Sequence, residues 1–249
     1  MKGLSLGRAF RQIGSLTAVS RIMGFVRDIA FAAFLGAGGA ADAFLVALKL
    51  PNMFRRLSAE GARTDGFLPN YAAIREEHGR AAALRLAAEA QIFLIIGLCL
   101  LVIIAEIFMA ELILLLAPGF ADTPERLRAA IDLARITMPY LPLISIVALW
   151  AAIANAHDHF KAGAAAPIIA NICFIAGALL IPLIASQMGM MRAVPVAVAL
   201  LVAGLAQLGF LYLRKLVLFF LKTKKNINNG INMVNKCSII SIKFLFIQK

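Results

Sequence analysis

Charged side chains stand where apolar helices should run. Between residues 14 and 35 the chain is built mainly of Ala, Ile, Val, Leu, Phe and Gly, yet it carries Arg21, Arg27 and Asp28. At 100° per residue, Thr17, Ser20, Arg21, Gly24, Arg27 and Asp28 fall within an arc of about 120°, which leaves Ile22, Phe25, Val26 and Ile29 on other faces. A second run places Asp42, Lys49, Arg56 and Glu60 on a stripe roughly 40° wide, with Asn52 at its margin and Arg55 further round. Pro51 interrupts that helix: it lacks a backbone donor and frees a carbonyl one turn upstream, a break tolerated at membrane depth only where protein or enclosed water satisfies the freed group.

An Arg or Lys at the centre of a spanning helix costs roughly 2.5–3.5 kcal/mol on insertion scales, so such residues line a polar cavity or pair with one another. Two readings follow. In one, the charges are structural pairs, Arg27 with Asp28 or Asp42, Lys49 with Asp42, Arg56 with Glu60. In the other, which we favour, Arg21, Arg27, Arg55 and Arg56 outnumber the nearby acids and form an anion site. The planar guanidinium fork matches phosphate oxygens bidentately and is easier to desolvate than an ammonium, so phosphate or pyrophosphate is the ligand that this chemistry selects.

The elements that must hold these groups are membrane helices. Of 249 residues 62% are hydrophobic and only 15% charged, with a mean hydropathy of +0.88, an excess that no soluble core of this size absorbs. The apolar residues gather into stretches of roughly twenty, the length that crosses a bilayer as helix. The expected class is an all-α, polytopic membrane bundle with about six spans, at 14–35, 42–73, 86–116, 131–156, 167–185 and 194–213. Gly36-Ala37-Gly38-Gly39 turns the first helix into the second, and Ala117-Pro118-Gly119 ends the third. A polar, interfacial helix opens at Thr123-Pro124-Glu125 with Thr as N-cap and Pro in the first turn, and Pro139 and Pro142 predict a kink in the fourth span. Arg21, Arg27 and Asp28 interrupt what would be the apolar core of a signal peptide, so no cleavage is expected near the N-terminus.

The net charge of +12 reads as topology. Lys2, Arg8, Arg11, Arg75, Arg80, Arg85, Lys161, Arg214, Lys215, Lys222, Lys224 and Lys225 fall on one side of six crossings, which puts both termini in the cytoplasm. After Arg214 the alphabet changes. Residues 215–249 contain no Ala, Arg, Asp or Glu and are rich in Lys, Asn, Ile and Phe, so the expected organisation is a membrane lobe at 1–214 and an atypical, disordered or non-native tail at 215–249.

Other chemistries find little support. Cys99, Cys173 and Cys237 are too scattered for a disulfide framework. His157-Asp158-His159 offers ligands two apart, which do not share a helical face, so no metal site is expected. No Gly-x-x-x-x-Gly-Lys-Ser/Thr loop is present, no cofactor motif appears, and no close acidic pair could hold Mg²⁺ for a prenyl or phosphoryl transferase. Aromatic residues do not interleave with basic ones as a single-strand nucleic-acid platform requires. Glu106 and Glu111 read as interfacial.

Four linked motifs carry a likeness to a known family. Ser20-Arg21-Ile22-Met23-Gly24-Phe25-Val26-Arg27-Asp28, Gly36-Ala37-Gly38 with Ala41-Asp42-Ala43-Phe44, Lys49-Leu50-Pro51-Asn52-Met53-Phe54-Arg55-Arg56 and Ala59-Glu60-Gly61-Ala62 resemble the MurJ (MviN) family of lipid II flippases. Ala117-Pro118-Gly119-Phe120, Pro139-Tyr140 and Ala166-Pro167 with Asn171 extend the likeness over about 5–213. Arg63 departs from it, standing where the family usually places an aromatic or other apolar residue.

The resemblance implies one lobe of a fourteen-helix flippase of the multidrug/oligosaccharidyl-lipid/polysaccharide exporter superfamily, in the bacterial inner membrane, working by alternating access. It assigns Arg21, Arg27 and Arg55 to binding of a lipid-linked pyrophosphate oligosaccharide and Asp42 to a periplasmic gate, with Ser20, Arg56 and Glu60 at further cavity or gate positions. Two-lobe rocking needs an opposing wall. A single lobe is therefore expected to be a truncated copy that lacks a second lobe or partner and cannot flip lipid alone, its natural energy source being the membrane potential, at about 2.3 kcal/mol per charge per 100 mV. The alternatives are a non-transporting membrane fragment and a generic exporter of other polysaccharide lipids or drugs.

Overall fold

The computed structural model describes residues 3–56, 67–156, 160–185 and 187–213. The chain separates into two compact units, 1–209 and 210–249, and the second lies outside the described residues but for 210–213. Among the described residues there is no strand. Helices α1 (Gly3–Leu35) and α2 (Gly39–Arg55) meet at the glycine turn, and α3 (Leu68–Glu77) leads into the long α4 (Gly79–Ile107). Then come α5 (Met109–Leu116), a 3-10 turn at Pro118–Phe120, α6 (Pro124–Thr137), α7 (Tyr140–Ala156) and α8 (Phe160–Leu180), which runs on into a π turn at Ile181–Ala185. A 3-10 turn at Gly189–Ala193 opens α9, 194–213.

Four helical stretches are long and apolar enough to cross a membrane: Gly79–Ile107, Pro124–Ala156, Gly163–Ala185 and Gly189–Leu213. The other two expected spans are helical as well, but Arg21, Arg27 and Asp28 break the apolar run of α1, and α2 has 17 residues. The second span was expected to reach residue 73; α2 is described as far as Arg55, α3 takes up at Leu68, and 57–66 lie outside the described residues. The third span divides at Phe108 into α4 and α5, and the fourth breaks at 138–139 beside Pro139. Thr123 stands at the N-cap of α6 as expected, yet its hydroxyl makes no capping bond and is buried without a partner.

Apolar side chains cover the outside of this bundle. Along α4, Ile92, Phe93, Ile96, Leu100, Ile103 and Ile107 are all exposed, a continuous surface suited to lipid tails and costly in water. The interior is packed by helix pairs, α8 along α1 and α6 along α2. Leu35, Phe44, Leu50, Met109, Ile113, Leu133 and Met138 fill the core between α1, α2, α5 and α6. A smaller cluster holds α3, where Tyr71 packs with Ala83 and Ala87 of α4 and the Arg75 guanidinium donates to the Ala156 carbonyl at the end of α7. Polar ties cross the bundle at two further points, Trp150 Nε1 donating to Gln91 Oε1 (2.9 Å) and Gln207 Nε2 to the Ala166 carbonyl (2.8 Å).

The break at Pro51 is satisfied from a neighbouring helix. Pro51 is buried inside α2 and cannot donate to the Ala47 carbonyl one turn earlier. The hydroxyl of Thr137 on α6, itself fully buried, shares its one proton between that carbonyl at 3.4 Å and the Ala134 carbonyl at 3.2 Å. Asn52 Nδ2 adds a bond to the Leu48 carbonyl at 3.0 Å. Thr137→Val keeps the shape and removes the donor, so it should destabilise the detergent-solubilised chain by about 1–3 kcal/mol, read as a fall in melting temperature. Thr137→Ser should retain most of that stability. An unchanged melting temperature in the Val variant would show that the Ala47 carbonyl needs no partner.

Candidate functional site

The polar arc of α1 is divided by α8. On its Ser20–Gly24–Arg27 side the arc is packed against Asn171, a buried amide on α8. Asn171 Nδ2 donates to the Ser20 carbonyl (3.1 Å), and Asn171 Oδ1 accepts from Arg27 Nη1 (3.2 Å). Arg27 also donates through Nε and Nη2 to Asp28 Oδ1, at 3.0 and 2.8 Å, and its guanidinium lies 5.7 Å from the centre of the Phe174 ring. The group is thus oriented by a carboxylate, an amide and an aromatic face. On the other margin Thr17, Arg21 and Asp28 are exposed, and Arg21 has no hydrogen-bond or ion-pair partner among the described residues.

On α2 the seven-residue spacing holds: Asp42, Lys49 and Arg56 are all exposed along one stripe. Arg55 is half-buried. Glu60 lies outside the described residues, as do Arg63 and His157-Asp158-His159.

The pairings differ from those expected in one respect that matters. Arg27 pairs with Asp28, as foreseen, but Asp42 pairs with neither Arg27 nor Lys49. Its partner is Arg126 on α6, at 3.6 Å, and Arg126 stands over the Phe120 ring at 5.8 Å. The helix rotation that faces α2 toward α6 brings these two groups together across 84 residues of sequence. Glu106, expected at the interface, has a buried Oε1 without a partner, and its Oε2 lies 3.9 Å from Arg135 Nε.

Arg126 and Phe174 were missed because nothing in their local spacing marks them: one reads as a loop charge, the other as core. Asn171 left a signal, being the strongly polar residue in the apolar stretch 167–185.

A helical bundle with an apolar outside, arginines along its first two helices and one of them braced from α8 defines a polytopic α-helical membrane protein. Residues 31–245 match the family described as lipid II flippase MurJ, and the chain belongs to that family. The match begins after the Arg21 and Arg27 motif and continues beyond residue 213, where the motif likeness stops.

The chain is 41% identical over 174 residues to the probable lipid II flippase MurJ of Rhizobium meliloti (strain 1021), which is 70% of this chain and 32% of that protein. It is 37% identical over 211 residues to the probable lipid II flippase MurJ of Rhizobium tropici, 84% of this chain and 39% of that one. Among solved structures its fold is similar to a lipid II flippase MurJ in an inward closed conformation, with a TM-score of 0.63 and 24% identity, over 80% of this chain and 41% of that chain. The chain therefore spans about a third to two fifths of the length of these relatives.

Proposed function

We propose that this chain forms the pyrophosphate-binding lobe of a lipid II flippase in the bacterial inner membrane, with both termini cytoplasmic. The observation that supports it most is the unlike state of two arginines six residues apart on α1. Arg27 is held in place by Asp28, Asn171 and Phe174, and Arg21 is exposed with no partner among the described residues. A braced fork beside an open one is what a doubly charged headgroup requires, because orientation is set before the ligand arrives and little side-chain entropy is lost on binding.

In this reading Arg21, Arg27 and Arg55 receive the pyrophosphate and Ser20 shapes the wall beneath them. Asp42, through Arg126, ties the start of α2 to α6 and acts in gating, with Arg56 at the far end of that helix and Glu60, outside the described residues, assigned to the same role. Pro51, satisfied by Thr137, lets α2 bend without leaving a bare carbonyl. Alternating access needs an opposing wall, supplied by a second lobe or a partner chain, and no step of nucleotide hydrolysis is involved.

Depletion of the resident flippase in a bacterium tests this. Residues 1–249 expressed alone should not restore growth, whereas co-expression with the remaining helices of a Rhizobium relative should. If neither arm restores growth and the purified chain in nanodiscs does not retain lipid II, the transport reading is lost and the chain is a membrane piece with another role.

A further inference from the structure

A second cluster of guanidinium groups lies at the turn that follows the C-terminal end of α1. Gly36 is nine residues beyond Arg27 and fifteen beyond Arg21, about 14 and 22 Å along a helix at 1.5 Å per residue. There the chain turns through Gly36 with φ of +73°, a left-handed conformation that favours glycine. Arg192, from the 3-10 turn before α9, brings Nη2 to about 4 Å from where side chains at Gly36 and Gly38 would begin, and Arg126 Nε lies 3.3 Å from the corresponding point at Gly39. Both arginines thus approach one glycine turn, Arg192 at contact distance from Gly36 and Gly38 and Arg126 beside Gly39, where a Cβ would first meet the Met190 side chain at 2.6 Å.

Charge and hydrogen bonding are both left over. Nε of Arg126 and Nε of Arg192 are each buried without a hydrogen-bond partner. Arg126 shares a long ion pair with Asp42, and Arg192 has no acidic partner among the described residues. Asp122 and Glu125 are exposed and make no ion pair with either. A buried donor without an acceptor is costly, and two forks against one carboxylate select an anion.

The position names the depth. Arg126 is in the first turn of the stretch Pro124–Ala156 and Arg192 in the first turn of Gly189–Leu213, so both stand where two apolar spans begin, at the level of lipid headgroups.

We propose that Arg126 and Arg192, converging on the turn 36–39, form a phosphate-binding site distinct from the α1–α2 arginine wall, taking the phosphate of an anionic lipid headgroup or a free phosphate. Occupancy ties the α1–α2 turn to α6 and to the turn before α9. It does not depend on the flippase reading.

The test uses the full chain in neutral detergent, titrated with phosphatidylglycerol, phosphatidylcholine or inorganic phosphate, with binding followed by native mass spectrometry and thermal shift. Phosphatidylglycerol retained over phosphatidylcholine identifies a lipid headgroup, and stabilisation by inorganic phosphate alone identifies a free anion; either supports the site. Arg192→Gln and Arg126→Gln should each weaken binding about tenfold, and Arg192→Lys, which keeps the charge and the fold, should recover only part of it. Arg128→Gln removes the same charge from an exposed position on α6 and should leave binding unchanged. Three results overturn the proposal: neither probe binds, the Gln variants bind as the parent does, or Arg128→Gln weakens binding as much as they do.

Discussion

Arg21→Gln should lower the affinity of the chain for lipid II by about 10- to 100-fold while leaving its melting temperature unchanged, and Arg27→Gln should lower both. A hydrogen bond to a charged group contributes about 1.5–3 kcal/mol, which sets the size of the binding loss. The difference in stability comes from what each group touches. Arg21 is exposed with no partner among the described residues, so the folded chain loses nothing with it. Removing Arg27 leaves Asp28 without its cation and Asn171 Oδ1 without its donor. Because the pair is more than a third exposed, screening holds the expected destabilisation to about 1 kcal/mol.

Lysine sharpens the test. It restores charge without the fork, so Arg21→Lys and Arg27→Lys should remain about tenfold weaker than the parent for lipid II and nearly normal for undecaprenyl monophosphate. Lysine working as well as arginine at both positions would mean that the wall attracts anions only by its net charge.

The other large effect is structural. Gly177→Leu should cost about 3 kcal/mol or more and abolish the cooperative melting of the bundle in detergent. A Cβ at Gly177 would stand 2.5 Å from the Ala199 Cβ, 2.9 Å from the Pro195 carbonyl oxygen and 3.2 Å from the Val196 Cα. Two of those three atoms are backbone, so relief requires α8 and α9 to separate, and no rotamer change avoids it. Helices packed in lipid gain little from hydrophobic exclusion between them and depend on close backbone approach, which makes this contact count for more than a similar one in a soluble core. Gly177→Ala should show a smaller loss of the same kind, and Gly97→Leu, on the open side of α4, none. A Gly177→Leu variant that melts like the parent would show that α8 and α9 do not rely on this approach.

Much of the architecture was legible before any coordinates. The breaks at residues 36–38, 117 and 138–139 fall where Gly and Pro mark them, and α9 occupies the stretch expected for the last span. Asp42, Lys49 and Arg56 share an exposed stripe as their spacing requires. The likeness to the lipid II flippases, carried by motifs in the first sixty residues, agrees with the family match. These features are local, because helical periodicity, proline and glycine act within a few residues of chain.

Partnership is a different matter. Whether Asp42 meets Lys49 on its own helix or Arg126 on another, whether Arg27 is braced by an amide 144 residues away, and which hydroxyl reaches the carbonyl that Pro51 abandons are decided by how helices rotate and cross. By itself the sequence determined that this is a bundle of membrane helices with arginines set into its first two members. Only the tertiary structure decided which of those arginines is held and which is open, because an ion pair between helices depends on rotations of a few tens of degrees that packing selects and no periodicity in a single helix encodes.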